Sequence, residues 1–190
     1  MGEPFNRKEL LDITAEMEGH PDNAAPAILG GFCMALIENG NVVAERIDIP
    51  SQWKAVVAIP DFELHTEKAR AVLPASYVRS DVVHNIGAVS FLMAAFMYNK
   101  PEYLKFGLDD HVHVPYRLGL IPGSEEVIRS SVKAGAYGAT ISGSGPTIIA
   151  FSPSDKAHLV GESMVSTFKH HGITSSYIVL DFDQSGISAV

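Results

Sequence analysis

Residues 18–23, with the sequence EGHPDN, place two carboxylates, an imidazole and a carboxamide in one short stretch. Such side chains can bind an ammonium or hydroxyl group, or hold a divalent metal ion through carboxylate oxygens. Taken alone, the residues favour a structural alternative, in which Asp22 or Asn23 caps the segment that follows. Both a ligand-binding role and a capping role stay open from the residues themselves.

A second stretch, GAYGATISGSGPT at residues 135–147, is rich in glycine and in hydroxyl groups. Glycine permits positive φ angles and a close approach of the backbone to a ligand. The Ser and Thr hydroxyls can donate to phosphate oxygens or to the backbone of the loop itself. The stretch matches neither the GxxxxGK(S/T) nor the GxGxxG pattern, so it is not a standard nucleotide-binding motif. For a glycine cluster alone, a tight connection between a helix and a strand is the more frequent explanation.

Two arginines could bind an anion. Arg70 lies within a predicted short helix, and Arg117 follows Pro115-Tyr116. Because a guanidinium group matches a carboxylate bidentately, the two arginines together can fix a carboxylate. For each arginine alone, a surface salt bridge is the stronger alternative.

Histidines and aspartates also concentrate near the middle of the chain, where Asp109-Asp110 is followed by His111 and His113. In an extended strand this alternating spacing puts both imidazoles on one side, which could form a metal site, but no third ligand at zinc spacing is evident. His84-Asn85 lies in a predicted buried helix, and we expect it to be a hydrogen-bonded polar pair in the core.

The elements that position these residues are predicted from hydrophobic spacing and capping signals. A first helix begins after Asn6, with Glu9 completing a capping box, and ends at Gly19, so that His20 to Asn23 leave it as an ordered turn. Residues 27–49 read as strand-like stretches with a hairpin turn.

A strong strand is predicted at residues 53–59, followed by a short helix capped by Thr66. A long helix from Ser80 or Asp81 to about Tyr98 is apolar on most faces and is therefore predicted to be buried. From Ser124 onward, two helices alternate with strands, which predicts an α+β layer on an antiparallel sheet.

The composition limits the classes of function. The chain has 190 residues, 46% of them hydrophobic, and a formal net charge of -8, which disfavours broad binding to nucleic acid or to anionic membranes. A single cysteine, Cys33, excludes an intrachain disulfide and a cysteine-based zinc site. The start has no apolar signal core, and the run at 82–97 is judged too short to span a bilayer, so we expect a cytoplasmic protein.

Four segments occur in the order and approximate spacing of one known family: EGHPDNAAPAILGGF, TEKARAVLP, HVPYR and GAYGATISGSGPT. On these segments the chain resembles homoserine kinase, of the GHMP kinase superfamily. The glycine-rich element is shared more loosely across the superfamily, whereas GHPDN followed by APAILGG is the more specific signal. The resemblance implies a GHMP kinase fold, with part of an N-terminal domain at residues 1–50 and a ferredoxin-like C-terminal domain at 51–190.

The resemblance implies phosphorylation of the hydroxyl group of L-homoserine by ATP with Mg²⁺, which gives O-phospho-L-homoserine for threonine synthesis. By resemblance, the catalytic residues Asp22 and Asn23 contact the amino and hydroxyl groups of the substrate, and His20 shapes the same pocket. Thr66 lines the site, and the turn at residues 143–145, including Gly143, shapes its phosphate end. Two further roles are implied for charged side chains: the carboxylate is held by Arg70 and Arg117, and Mg²⁺ by Glu18, with Glu16 as a rival. Either Asp22 acts as a base or the hydroxyl attacks directly; we favour direct attack.

The family's main ATP-binding loop, of the PxxxGLGSSAA type, has no counterpart in this sequence. We therefore expect the chain to be a C-terminal portion of such a kinase, with its ATP-binding residues unknown. Apolar side chains on the first helix (Leu10, Ile13 and Met17) are expected to be exposed, which predicts a homo-oligomer or association with a missing N-terminal segment. The alternative is a non-catalytic module that binds an amino acid or a partner chain.

Overall fold

The computed structural model describes residues 5–188, and contacts between these residues divide the chain into two compact units. One unit contains the described residues up to Pro50 together with those from Phe182 onward, and the other is Ser51–Asp181. The sequence interpretation also ended its first domain at residue 50, and that domain assignment stays a prediction. The last segment, in contrast, groups with the first unit rather than with residues 51–181.

The first unit consists of two helices and a β-hairpin: α1 (Arg7–Glu18), α2 (Ala24–Leu29), β1 (Phe32–Glu38) and β2 (Asn41–Ile47). The predicted capping box is present, with Asn6 and Glu9 bonded reciprocally, and Gly19 ends α1 in the left-handed conformation. The hairpin turns at Asn39 (φ 52°) and Gly40 (φ 80°), and these two positive φ values match the twist of an antiparallel pair.

Residues 27–29 lie in α2, so the sequence prediction of a strand-like stretch there was wrong. A short apolar run next to glycines does not distinguish a helix turn from a strand, and here Pro26 near the start of the helix is compatible with helix. The core of this unit is small, and its buried members are Leu11, Ala15, Ala24, Ala25, Ile28 and Val42. On α1, Ile13 and Met17 are exposed as expected, whereas Leu10 is half-buried against this core.

The segment after Asp181 completes the first unit. The Gly31 amide donates to the Asp183 carbonyl (2.7 Å), the Ile187 amide donates to the Ile28 carbonyl (3.2 Å), and the Gln184 side chain bonds both backbone groups of Ile49. Gly186 approaches so closely that a Cβ atom there would lie 2.3 Å from the Ile28 carbonyl oxygen.

The second unit is built on a four-stranded antiparallel sheet in the order β4-β5-β3-β6. Its strands are β3 (Trp53–Pro60), β4 (Gly138–Ile141), β5 (Ile148–Pro153) and β6 (Ser175–Leu180). Its helices are α3 (Thr66–Ala71), α4 (Arg79–Met97), α5 (Leu104–Gly107), α6 (Val114–Leu118), α7 (Ser124–Lys133) and α8 (Ala157–His170), with a 3₁₀ turn at Pro101–Tyr103.

The predicted α+β layer and ferredoxin-like order are confirmed for this unit. With helices α7 and α8 in the crossovers, the strands follow the βαββαβ order of that fold. Apolar side chains of the sheet and of both helices share one core, in which Val56, Val127, Ile148, Met164 and Phe168 are inaccessible to solvent.

Helix α4 is mostly exposed, so the prediction that it is buried was wrong. Only Ala88, Ala95 and Phe96 are buried, whereas Ile86 is 65% exposed and Val83 is 58% exposed. The apolar composition of α4 indicates that several of its faces can be buried. It does not indicate whether another helix or strand covers them. Within the described residues this 19-residue helix is also long and apolar enough to cross a membrane by length and composition alone, which is weak evidence for a span. The length argument from the sequence was therefore too strict.

Candidate functional site

The first group of candidate residues lies where α1 ends, in the first unit. The imidazole of His20 contacts the Asp22 carboxylate through Nδ1, and the same carboxylate accepts a hydrogen bond from the Asn23 amide (3.0 Å). Asn23 occupies the N-cap position of α2, but its side chain makes no capping bond. The carboxamide of Asn23 and most of the Asp22 carboxylate therefore face solvent, so the capping alternative does not use Asn23.

The carboxylates proposed for a metal ion precede this turn on α1. Glu16 and Glu18 are both exposed. Residues two positions apart on a helix do not face each other. The two side chains therefore cannot readily converge on one ion from the same helix, and they remain alternatives rather than a pair.

The second group lies in the second unit and is held together by direct contacts. Arg117 on α6 donates from Nε to the Ala69 carbonyl (3.3 Å) and from Nη1 to the Gly143 carbonyl (3.1 Å). Since Ala69 precedes Arg70 on α3, Arg117 joins the helix that carries Arg70 to the glycine-rich turn. No described residue accepts a hydrogen bond from Nη2 of Arg117, which keeps two N–H donors for a ligand.

Thr66 is the first residue of α3 rather than its cap. The N-cap is His65, which makes no side-chain capping bond. The Thr66 hydroxyl instead lies 3.4 Å from the Ser144 hydroxyl, in the turn that follows β4. The structure therefore brings Thr66, Arg117 and Gly143 together around α3, a grouping that no local sequence signal indicates.

The glycine-rich stretch begins in the connection from helix α7 to strand β4, as predicted, and then includes β4 itself. Its last part, residues 142–147, is the turn between antiparallel strands β4 and β5. The Ser142 amide donates to the Thr147 carbonyl (2.8 Å), and the Gly145 amide donates to the Ser142 carbonyl (3.0 Å). Gly143 has a φ of 59° in open space, whereas a Cβ at Gly145 would lie 2.7 Å from the Ile121 side chain. The turn thus needs Gly143 for its conformation and Gly145 for its packing.

An open cleft of about 430 Å³ lies beside Thr66 in the second unit. It is bounded by the end of β3, the segment before α3 and the end of the glycine-rich turn; its lining residues are Ile59, Pro60, Phe62, Glu63, Leu64, His65, Thr66, Pro146 and Thr147. The hydroxyls of Thr66 and Thr147 are polar groups that such a cleft offers to a ligand.

The histidine cluster differs from the one predicted. His84 is exposed and stacks on His111, with ring centroids 3.9 Å apart, so it is not part of a core pair. Asn85 does bond within the protein, donating to Asp110 (2.7 Å) and accepting from the His111 amide (2.8 Å). The sequence analysis paired His111 with His113. In the structure His111 instead contacts His84 on α4, and spacing rules cannot detect a pair so far apart along the chain.

The sequence of this chain is similar to a family model and to curated proteins of one name. Residues 102–170 match the model described as GHMP kinases C terminal. The homoserine kinase of Desulfitobacterium hafniense is 39% identical over 189 residues, covering 100% of this chain and 64% of that protein. The homoserine kinase of Carboxydothermus hydrogenoformans is 43% identical over 186 residues, covering 98% of this chain and 60% of that protein. The chain thus spans between 60% and 64% of the length of these relatives.

Solved structures agree with the sequence comparison. The crystal structure of homoserine kinase from Cytophaga hutchinsonii superposes with a TM-score of 0.90 at 32% identity, covering 97% of this chain and 61% of that one. Mevalonate kinase of L. major, solved with R-mevalonate, superposes with a TM-score of 0.68 at 16% identity, covering 98% of this chain and 60% of that one, which supports a shared fold.

Proposed function

We propose that this chain, a homologue of the homoserine kinases that carries the GHMP kinase C-terminal domain, serves in the phosphorylation of the hydroxyl group of L-homoserine by ATP. The product is O-phospho-L-homoserine, which makes the protein a phosphotransferase of threonine biosynthesis in the cytoplasm. The observation that carries this proposal is the identity of 39–43% along nearly the whole chain with proteins of that name.

In the second unit, we assign Arg70 and Arg117 to the carboxylate of the amino acid. Arg117 is anchored by two backbone carbonyls while Nη2 keeps its donors, so its guanidinium is held in place before a ligand arrives. This preorganisation lowers the entropic cost of binding. Thr66 lines the same region, and the turn at Gly143, whose carbonyl Arg117 grips, shapes its phosphate end.

In the first unit, we assign Asp22 to the ammonium group and Asn23 to the hydroxyl group of homoserine, with His20 holding the Asp22 carboxylate in position. A carboxylate stabilises an ammonium by charge, and a carboxamide both donates and accepts hydrogen bonds. Phosphoryl transfer depends mainly on positioning and on charge neutralisation. We propose that the hydroxyl oxygen attacks the terminal phosphorus directly and its proton passes to the phosphate; Asp22 as general base is the alternative.

For Mg²⁺ we assign Glu18, with Glu16 as the alternative. Both are exposed carboxylates, which are the ligands that Mg²⁺ prefers. When bound, the ion neutralises charge on the phosphate oxygens. Comparing Glu16→Gln with Glu18→Gln in a Mg²⁺ titration distinguishes the two assignments.

We also propose that exposed apolar side chains of α1, including Ile13 and Met17, are covered by association, either in a homo-oligomer or with a further segment of the protein. Met17 is 83% exposed, although it is large and apolar. Nucleic acid and anionic membranes are poor partners for a chain with a net charge of -8.

The proposed function is tested by titrating the purified chain with L-homoserine in a calorimeter and by assaying ADP formation with ATP and Mg²⁺. We expect saturable binding that weakens at least about tenfold in Arg117→Ala, since a charged hydrogen-bond donor is lost. L-Serine, one methylene shorter, serves as the matched control ligand and should bind more weakly. Homoserine binding without ADP formation by the chain alone is expected both of a partial kinase and of a non-catalytic module, so the assay is repeated with the N-terminal segment of a homoserine kinase supplied. ADP formation that depends on homoserine would then favour the kinase, and continued inactivity of the folded, complemented protein would favour the non-catalytic module. Absence of homoserine binding to the folded chain would contradict the assignment of the binding residues.

A further inference from the structure

We propose that His84, Asp109 and His111 bind a divalent transition-metal ion such as Zn²⁺, at a site separate from the residues assigned to homoserine. One potential ligand atom from each of the three side chains lies within 4.8 Å of the others. His84 Nε2 lies 3.0 Å from the Asp109 carboxylate, and His111 Nε2 lies 3.7 Å from the same carboxylate. Two imidazoles and one carboxylate, with a fourth position for water, form a donor set that suits zinc.

The two nitrogens of His111 have different surroundings, which favours metal binding through Nε2. Its Nδ1 lies 3.4 Å from the Asp81 carboxylate, while Nε2 points to Asp109. A carboxylate that accepts the Nδ1 proton leaves the lone pair on Nε2 and makes that nitrogen a better ligand. Asp81, on the first turns of α4, is therefore a positioning residue for this site.

The segment that carries Asp109 and His111 is held firmly against α4. The Asp110 carboxylate accepts hydrogen bonds from the amides of Val112 (2.8 Å), His113 (3.0 Å) and Val114 (2.7 Å). It also accepts from the Asn85 side chain (2.7 Å), next to His84 on the helix. The scaffold of the site is thus fixed on both sides.

The imidazole rings have room to adjust to an ion. They stack with an interplanar angle of 13°, whereas two rings that share a metal each aim a nitrogen lone pair at it and must tilt apart. Both histidine side chains are 39% exposed, so each ring has a solvent-facing side toward which it can tilt. Imidazole ligands select against Mg²⁺, which distinguishes this site from that of the nucleotide's metal.

The test is a titration of the full chain, freed of any histidine tag and of metals, with Co²⁺ by visible absorption and with Zn²⁺ by calorimetry. We expect one equivalent to bind, with cobalt bands typical of nitrogen and oxygen ligands, and excess Mg²⁺ not to compete. His84→Ala and His111→Ala should each weaken binding at least about tenfold, as should Asp81→Ala through loss of the acceptor for His111 Nδ1.

His113→Ala is the matched control, because His113 lies on the same segment outside the cluster and should leave the affinity unchanged. His84→Gln and circular dichroism spectra separate a lost ligand from a lost fold. The proposal is overturned if Co²⁺ does not saturate at one equivalent, if His84→Ala binds as well as the parent chain, or if His113→Ala weakens binding as much as His111→Ala. None of these readouts depends on kinase activity, so the metal site and the proposed function fail independently.

Discussion

The two units of this chain differ in how much apolar side-chain surface each buries within itself. The second unit is built on a four-stranded sheet and buries large side chains such as Trp53, Phe168 and Leu104 almost completely. The first unit has only a two-stranded sheet, and its buried core consists of three alanines and three larger aliphatic side chains. Its hairpin leaves Leu36 and Val43 about half exposed. Since an isolated two-stranded ribbon is marginal in water, the first unit depends on a few specific contacts where the second depends on bulk burial.

The largest effect is expected from the core of the second unit. Phe168 is fully buried on α8, so Phe168→Ala should lower the free energy of unfolding by about 3–5 kcal/mol. Leu159→Ala on the same helix, where the side chain is 52% exposed, is the control and should cost far less. Urea unfolding monitored by circular dichroism checks both; equal losses would mean that α8 does not pack as described.

The next largest effect is expected at the close contact that completes the first unit. Gly30 has a φ of 74°, and a Cβ there would lie 2.5 Å from the backbone of Gln184. Gly30→Ala therefore combines backbone strain with overpacking, each about 1–3 kcal/mol. Gly40→Ala, with a φ of 80° and open space, reports the strain alone.

Hydrogen exchange resolves which unit responds to these glycine substitutions. Gly30→Ala should release protection in the first unit, including the amides of Gly31 and Ile187, and leave β3 unchanged. If Gly30→Ala lowered protection in both units together, the two units would unfold as one, and their difference in packing would not be a difference in stability.

A smaller effect, with a defined pH dependence, is expected at Asp110. Asp110→Asn removes a partly buried charge that accepts several hydrogen bonds, at a cost of about 1–3 kcal/mol near neutral pH. Because the pKa is lower in the folded state than its ordinary value of 3.8, the stabilisation is present above 3.8 and is lost as pH falls through the folded pKa.

The measurement for Asp110 is the difference in unfolding free energy between the parent chain and Asp110→Asn at pH 7 and below pH 3. We expect the difference to narrow in acid. A difference that stays constant over this range would show that the carboxylate charge is not what stabilises the segment.

The smallest effect on stability is expected at the exposed surface of α1. Met17→Ser should change the free energy of unfolding by no more than about 0.5 kcal/mol. It should nevertheless shift sedimentation toward smaller species, because an apolar side chain that is 83% exposed favours association. A parent chain that sediments as a monomer at all concentrations would remove this proposal.

Local signals were enough to predict much of the fold but little of the site. The Asn6–Glu9 capping box, the turn at Asn39-Gly40 and the alternation of strands and helices after Ser124 depend on neighbours in sequence, and the structure contains all three. The burial of α4 was predicted wrongly because apolar composition does not specify a covering element.

For the candidate site, the resemblance to homoserine kinase indicated which residues to consider but not which atoms they contact. Nothing in the sequence near Arg117 indicates that it grips the carbonyls of Ala69 and Gly143, because both contacts join residues far apart along the chain. The same reason explains why His84 was assigned to the core and His113 to the metal cluster. Long-range contacts depend on how elements pack, which spacing rules do not encode.

The hydrogen bond from Gly31 to Asp183 has a consequence for how the protein is made. The second unit is one continuous stretch, Ser51–Asp181, so a ribosome delivers all of it before residue 183 emerges. At about 5–20 residues per second, roughly 8–30 seconds separate synthesis of the α2–β1 segment from synthesis of the residues that bond to it. During that interval the later-made unit can fold first, while the earlier-made one waits for its final contact.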